Sequence, residues 1–209
     1  ENWDAKYNDS NDESFNPSDN MNGSKISLIK NNNNSNIYFS IARGYKQGGF
    51  NVGLDATDYL NNSLIYDPEF LTNYEIGFNS NMINSNFNYS AVLFFSNRND
   101  QQVLISRQVD PTDPNTFSFI TQNAAEGENY GFEFSANYFV NDNFNVYTNF
   151  GLLQTKIKNW ESRNDLLKRD QAHAPQATFS IGANLDLKNN FYLKTNLNGK
   201  SSFYYSYSH

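Results

Sequence analysis

Tyr130-Gly131-Phe132-Glu133-Phe134-Ser135-Ala136-Asn137-Tyr138 is the stretch on which the fold turns. In an extended chain, successive side chains point to opposite faces. Tyr130, Phe132, Phe134, Ala136 and Tyr138 therefore share one face, and Gly131, Glu133, Ser135 and Asn137 share the other. A helical period would scatter both sets around an axis. The same alternation recurs on both sides of this segment. Upstream, Phe87, Tyr89, Ala91, Leu93 and Phe95 alternate with Asn88, Ser90, Val92, Phe94 and Ser96 in the segment from Asn86 to Arg98. Downstream it runs through Phe144 to Leu152, Ala177 to Leu187, and from Phe191 onward. Ile37 to Lys46 and Tyr74 to Asn79 follow it more loosely, and Lys25 to Lys30 most weakly. These windows predict about eight strands. Helix is expected almost nowhere, with a short helical turn within Trp160 to Ala172.

Composition limits what such strands can build. The 209 residues carry a formal net charge of −7 and no cysteine. Mean hydropathy is −0.73, which on its own points to a solvated chain. Yet 16% of residues are aromatic, including 14 Tyr and 18 Phe, and disordered chains are poor in aromatics. A polar chain rich in Tyr and Phe fits strands that turn one face to hydrocarbon and the other to water. No apolar run is long enough for a membrane-spanning helix, which leaves strand-built membrane proteins open. The acidic balance argues against nucleic acid as partner. Absence of cysteine removes disulfide scaffolds and thiolate metal sites. The opening Glu1-Asn2-Trp3-Asp4 is not a signal peptide, so an exported protein would carry its leader upstream.

The connections carry a second pattern. Asn31 to Ser35, Met82 to Ser85, Asn141 to Asn143 and Lys188 to Asn190 are short and rich in Asn, which bonds its own backbone and tolerates positive φ. Gln47 to Asp67, Asn99 to Thr121 and Ile157 to Ala174 are long. Short and long strictly alternate, as periplasmic turns and extracellular loops do in outer-membrane barrels. On this reading strands ending at Lys46, Arg98 and Lys156 run outward. Strands starting near Glu69, Asn123 and Pro175 run inward. Residues 1–23 read as the end of an extracellular loop, and 24–209 as strands.

Gly44-Tyr45-Lys46-Gln47-Gly48-Gly49-Phe50-Asn51, at the top of an outward strand, resembles a recurrent signature of TonB-dependent outer-membrane receptors. Further elements follow in order: Pro68-Glu69 before Asn73-Tyr74-Glu75-Ile76-Gly77; Phe94-Phe95 before Asp100-Gln101-Gln102; Asn123-Ala124, Gly127 and Gly131-Phe132-Glu133; and Ala174-Pro175. The resemblance covers roughly Ser24 to Tyr207. It implies an antiparallel transmembrane β-barrel of about 22 strands around a plugged lumen, of which this chain supplies about eight. It implies that the plug, the TonB-contacting segment and the final strand lie outside the sequence. It also implies a transporter of the Gram-negative outer membrane, energised through TonB, for a scarce nutrient. A ferric siderophore or other iron complex ranks first, ahead of cobalamin or an oligosaccharide. The implied partners are lipid and lipopolysaccharide, the protein's own plug, TonB and a small-molecule nutrient. No cofactor is expected.

Read as physical chemistry, Gly48 and Gly49 permit a tight exit from the strand and close backbone approach. Tyr45 and Phe50 suit an aromatic girdle. Lys46 is placed to reach lipopolysaccharide phosphates or to snorkel. Gly44, Tyr45, Lys46, Gly48, Gly49, Phe50 and Asn51 read chiefly as a strand end and loop anchor, as do Gly77 and Gly131 as backbone positions. Glu75 and Glu133 face the predicted lumen, either solvated or paired with basic residues of the plug. Arg43 falls on the lipid-facing register near the strand top, where a charge is mild; at the bilayer midplane it would cost roughly 2–4 kcal/mol. Arg107, Phe117 and Phe119, in a long connection, are the candidate ligand contacts, since aromatic rings offer rigid contact area to sugars or siderophore rings.

Catalytic motifs are missing: no Gly-x-Ser-x-Gly elbow, P-loop or dinucleotide fingerprint occurs, and no enzyme is expected. With only His173 and His209, no zinc site can be assembled. Asp110-Pro111-Thr112-Asp113-Pro114 reads as a loop-tip turn without a calcium-loop ligand pattern. Two other classes compete. A passive porin or stand-alone small barrel requires closure from this chain alone. A soluble β-sandwich requires two facing sheets with Phe132, Phe134 and Tyr138 dry between them. An isolated piece of a barrel would present two unpaired edges and aggregate.

Overall fold

The computed structural model describes residues 2–4, 6–8, 14–15, 18–51, 64–80, 86–108, 110, 112–160 and 163–207. Eight strands form a single sheet: β1 (Ser24–Asn32), β2 (Ser35–Lys46), β3 (Glu69–Ser80), β4 (Phe87–Gln108), β5 (Phe117–Asn141), β6 (Phe144–Asn159), β7 (Ala177–Asp186) and β8 (Tyr192–Lys200). Each pairs antiparallel with its sequence neighbours. Shorter ladders join Asn2–Asp4 to Ser18–Asn20, Tyr7–Asn8 to Ser14–Phe15, and Gly49–Phe50 to Ile65–Tyr66. Helical structure among the described residues is limited to 3-10 turns at Asn164–Leu166 and Lys188–Asn190. The first lies inside the segment predicted to turn.

Cross-strand register converts the alternation into two continuous faces. Leu28, Phe39, Ile76, Leu93, Phe132, Leu152 and Ala177 stand side by side across seven strands. On the opposite face, one row reads Asn31, Asn36, Asn79, Ser90, Ser135, Asn149, Ser180 and Asn198. Every member of that row is polar and uncharged. Amide-to-amide hydrogen bonds lace this face: Asn79 Nδ2 to Asn36 Oδ1 at 3.0 Å, Asn145 Nδ2 to Asn137 Oδ1 at 2.9 Å, and Asn184 Nδ2 to Asn145 Oδ1 at 3.2 Å.

Among the described residues, no layer packs over the apolar face. Leu93 is 55% exposed, Ile181 48% and Phe87 39%. A contiguous apolar surface of this extent is foreign to soluble monomers, whereas hydrocarbon is its natural solvent. The sandwich alternative fails on this point, because all eight strands share one sheet and, among the described residues, no second sheet covers the rings. The small-barrel alternative fails as well: β1 and β8 stand at opposite ends of the sheet and do not pair. Among the described residues, the buried apolar side chains (such as Val103, Ile120, Ile157, Trp160 and Leu166) all lie at the end of the sheet that carries the long connections.

The short turns use Asn as expected. Asn143 N–H donates to Asn141 Oδ1 at 2.9 Å, and Asn189 and Asn190 adopt φ of 60° and 62°. The turn at Met82 to Ser85 falls outside the described residues. One connection differs from its expected form. Asn99 to Thr121 is not a loop: β4 continues to Gln108 and β5 starts at Phe117. The cause is a bulge. The β4–β5 register shifts between Arg98 and Gln102, and Asp100 takes φ of 54°. Each strand carries one extra residue there, β4 between Arg98 and Gln101 and β5 between Asn123 and Ala125, so later side chains change face on both strands while the ladder regains its register.

Candidate functional site

The end of the sheet where the long connections leave it, called the rim below, holds the densest side-chain chemistry. It is assembled from segments far apart in sequence. At the top of β2, a Cβ on Gly48 would meet the Tyr66 carbonyl oxygen at 2.6 Å, and one on Gly49 would land on the Tyr66 ring. Both positions therefore need glycine, because Gly49 pairs directly with Tyr66 on the returning chain. Gly44 is different: nothing lies within 4 Å of its would-be Cβ. Two residues beyond Gly49, Asn51 is buried. Its amide donates to the Thr121 carbonyl at 2.8 Å and accepts from the Thr121 N–H at 2.7 Å, imitating a strand across 70 residues of chain.

The returning root of the same connection is held just as closely. Asp67 N–H donates to Asn123 Oδ1 at 2.6 Å, and Asn123 Nδ2 donates to the Asp67 and Asp100 carbonyls at 2.8 Å each. Gln102, the cross-strand partner of Asn123, donates to the carbonyls of Gln47 at 2.8 Å and Asp67 at 3.0 Å. Glu69 accepts from the Gln102 N–H at 2.8 Å and pairs with Arg98 Nε at 3.3 Å. The segments 47–51, 67–69, 100–102 and 121–123, separate in sequence, thus meet in one hydrogen-bonded knot. The β4 bulge that creates Asp100's positive φ also turns its carbonyl toward Asn123.

On another side of the β4–β5 hairpin, the chain after β6 folds back. Val103, Ala125, Ile157, Trp160 and Leu166 form one buried cluster. Gln171, also buried, donates its backbone N–H to Thr155 Oγ1 at 2.8 Å and its amide to Asn129 Oδ1 at 3.0 Å. It sits against Gly127, where a Cβ would meet Gln171 Nε2 at 2.5 Å. Residues after β8 complete this wall. Tyr207 meets the Trp160 ring edge-on at 5.2 Å, Arg169 lies 3.8 Å over Tyr204, and His173 faces Tyr205 at 5.0 Å. Gln171, Asp67 and the aromatic segment after Lys200 had no sequence signal, since such contacts follow no period.

The remaining candidates are dispersed. Phe117 and Phe119 project from one face of the hairpin, 54% and 67% exposed, with Leu104 beside them. Arg107 pairs through its backbone with Ser118 on the same hairpin. Glu75 lies on the polar face and accepts hydrogen bonds from the Tyr38 hydroxyl and, at 3.3 Å, from Asn73 Nδ2. Glu133 shares that face, in register with Val92 and Gly151. Gly77 and Gly131 lie under the rings of Tyr38 and Phe94. Arg43, on the apolar face, rests 4.5 Å over the Phe70 ring. Strand parity places Lys46 with Ser40 on the polar face, turned from the lipid side. No group of three or more His, Asp or Glu among the described residues is arranged to hold a metal ion.

Two loop carboxylates are held below the usual range. The Thr112 hydroxyl, then its backbone N–H, lower Asp110, and the Arg163 guanidinium lowers Asp165 through a two-pronged contact at 2.9 Å.

Comparison with known proteins places the whole chain. The family described as "TonB dependent receptor-like, beta-barrel" matches residues 1–209. A curated relative, the probable TonB-dependent siderophore receptor PiuA of Acinetobacter baumannii, is 29% identical over 132 residues, covering 62% of this chain and 16% of that protein. Among solved structures, the ferric yersiniabactin uptake receptor FyuA from Yersinia pestis superposes with a TM-score of 0.66 at 19% identity, covering 91% of this chain and 28% of that one. The copper transporter OprC gives 0.62 at 13% identity, over 90% and 27%. The chain thus spans a sixth to little more than a quarter of these relatives' length.

Proposed function

This chain belongs to the TonB-dependent receptor β-barrel family, and from that premise we propose that it forms wall and outer rim of a receptor importing a scarce nutrient, with a ferric siderophore or other iron complex as cargo. Members of the family are β-barrels of the Gram-negative outer membrane, and this chain shares that location. The observation that carries the transport reading is the two-faced sheet: an unbroken apolar band on one side and a polar, hydrogen-bonding wall on the other. A wall of that kind suits a lumen that holds a polar body.

In this reading the plug fills the lumen, and TonB draws on the plug from the periplasmic side. Glu75 and Glu133 offer carboxylates to basic side chains of the plug. Phe117 and Phe119, with Arg107, meet the cargo at the rim. Iron ranks ahead of other cargoes because iron or a ferric complex is what the names of most of these relatives describe, a siderophore in the case of PiuA; the copper transporter among the neighbours marks the fold as permissive of other cargo. The test is deletion of the full-length gene, followed by growth with an iron chelator, on a polysaccharide, and under cobalamin dependence. A defect confined to iron limitation supports the reading. Normal iron-limited growth with a defect on either other nutrient reassigns the cargo.

A further inference from the structure

We infer that the β2–β3 connection and the β4–β5 hairpin are clasped into one extracellular body, with Gln102 and Asn123 as the clasp. The two residues are cross-strand partners on the hairpin. Between them they reach both roots of the connection: Gln102 bonds the Gln47 carbonyl where the chain departs and the Asp67 carbonyl where it returns, and Asn123 closes a reciprocal pair with Asp67. Asn51 adds a second reciprocal pair from the connection to Thr121, three positions from Ala124 along the same strand. Glu69 completes the circuit through Arg98 and the Gln102 N–H.

The geometry makes this a clasp rather than a collection of surface contacts. Most of its acceptors are backbone carbonyls, so each bond fixes the path of the main chain and not merely a side-chain rotamer. The two amide side chains present donor and acceptor together, which a hydroxyl or a carboxylate cannot copy in the same geometry. Single exposed hydrogen bonds exchange readily with water. Several that share two rigid partners do not open independently, because one broken bond leaves its groups held in place by the others. Linkage then requires reciprocity: loosening either side loosens the other equally. The clasp belongs to the rim itself, whatever the cargo.

Amide hydrogen exchange on the full-length protein in lipid nanodiscs tests it. Asn123→Asp and Gln102→Glu keep shape and one acceptor while removing the donated bonds. Each is expected to raise exchange at residues 47–51 and 64–67, on the opposite partner, by about tenfold, the loss of one to two net hydrogen bonds. Asn51→Asp, which lies outside the eight-stranded sheet, is expected to raise exchange around Thr121 on the hairpin. Heat-modifiable migration, the sign of an assembled barrel, stays unchanged throughout. Changes confined to the segment that carries the substitution overturn the inference. So does a uniform loss of protection along β3 to β6, which would make these residues general stabilisers of the sheet. Should the hairpin variants not assemble, the Asn51→Asp measurement alone decides: no effect on the hairpin refutes the clasp.

Discussion

Tyr38 packs its ring over Gly77, its direct partner across the β2–β3 ladder, and from there its hydroxyl reaches Glu75. A glycine in mid-strand normally weakens a sheet; here the missing side chain is the space the ring occupies. The same relationship recurs at Phe94 over Gly131 and Tyr147 over Gly182. Gly77→Ala should therefore displace the ring and cost about 1–3 kcal/mol, in the range of overpacked sites. Urea unfolding of the full-length protein in bilayers measures it. Adding Tyr38→Ala should recover part of the loss, and strict additivity of the two substitutions would count against the packing account.

The two faces of β5 should respond oppositely to charge. Phe134 sits in the apolar band between Ala91 and Phe150, and Ser135 in the polar row between Ser90 and Asn149. Phe134→Arg is expected to cost roughly 2–4 kcal/mol and Ser135→Arg close to nothing. Equal penalties in a folding titration would mean that the band does not meet lipid.

Release of the β6–β7 connection should leave the barrel standing. Trp160 and Leu166 are nearly fully buried in the cluster that pins this connection to the hairpin. Trp160→Ala removes the largest side chain there, at about 3–5 kcal/mol for a fully buried site. The energy acts locally, so trypsin on intact cells should cut at Arg163, Lys168 or Arg169 while heat-modifiable migration persists. Resistance to trypsin in the variant would show that the polar contacts of Gln171 and Arg169 suffice.

Acid should loosen the rim only late. Asp165 and Asp110 both have folded-state values below the ordinary 3.8. A depressed carboxyl contributes stability that is fully present above its unfolded value and is lost as pH falls through its folded value. The loop tip at 110–116 and the turn at 163–166 should thus keep their form from neutral pH down to about pH 4 and give way below it. A carboxyl-carbon shift titration of Asp-labelled protein reads this directly. Arg163→Gln should return Asp165 toward its ordinary value; an unchanged titration would remove Arg163 as the cause.

How much of this was legible in sequence depends on the kind of contact. The band through Phe39, Ile76, Leu93 and Phe132 was readable because strand geometry writes burial into every second residue. The turns at Asn141 and Asn189 were readable because Asn has local backbone preferences. The upper half of the hairpin was not: the bulge at Asp100 offsets the alternation just where the ladder leaves the membrane band. The rim knot was half legible. Gly48, Gly49, Asn51, Glu69, Gln102 and Asn123 stood out as a recurrent set, yet nothing local says that Asn51 meets Thr121 or that Asn123 meets Asp67. Hydrogen bonds between side chains and remote backbone carry no period, so only the folded chain displays them.

The eight-residue row from Asn31 to Asn198 has a mechanical consequence. Amides and hydroxyls trade one hydrogen bond for another, with water as intermediate, at little net cost. Fixed ion pairs at the same height would act as detents, each needing separate force to break. A ring built this way gives whatever slides past it no fixed grip at that height, whereas charged side chains stand at other heights of the same face, Glu75 and Glu133 among them, nearer the rim.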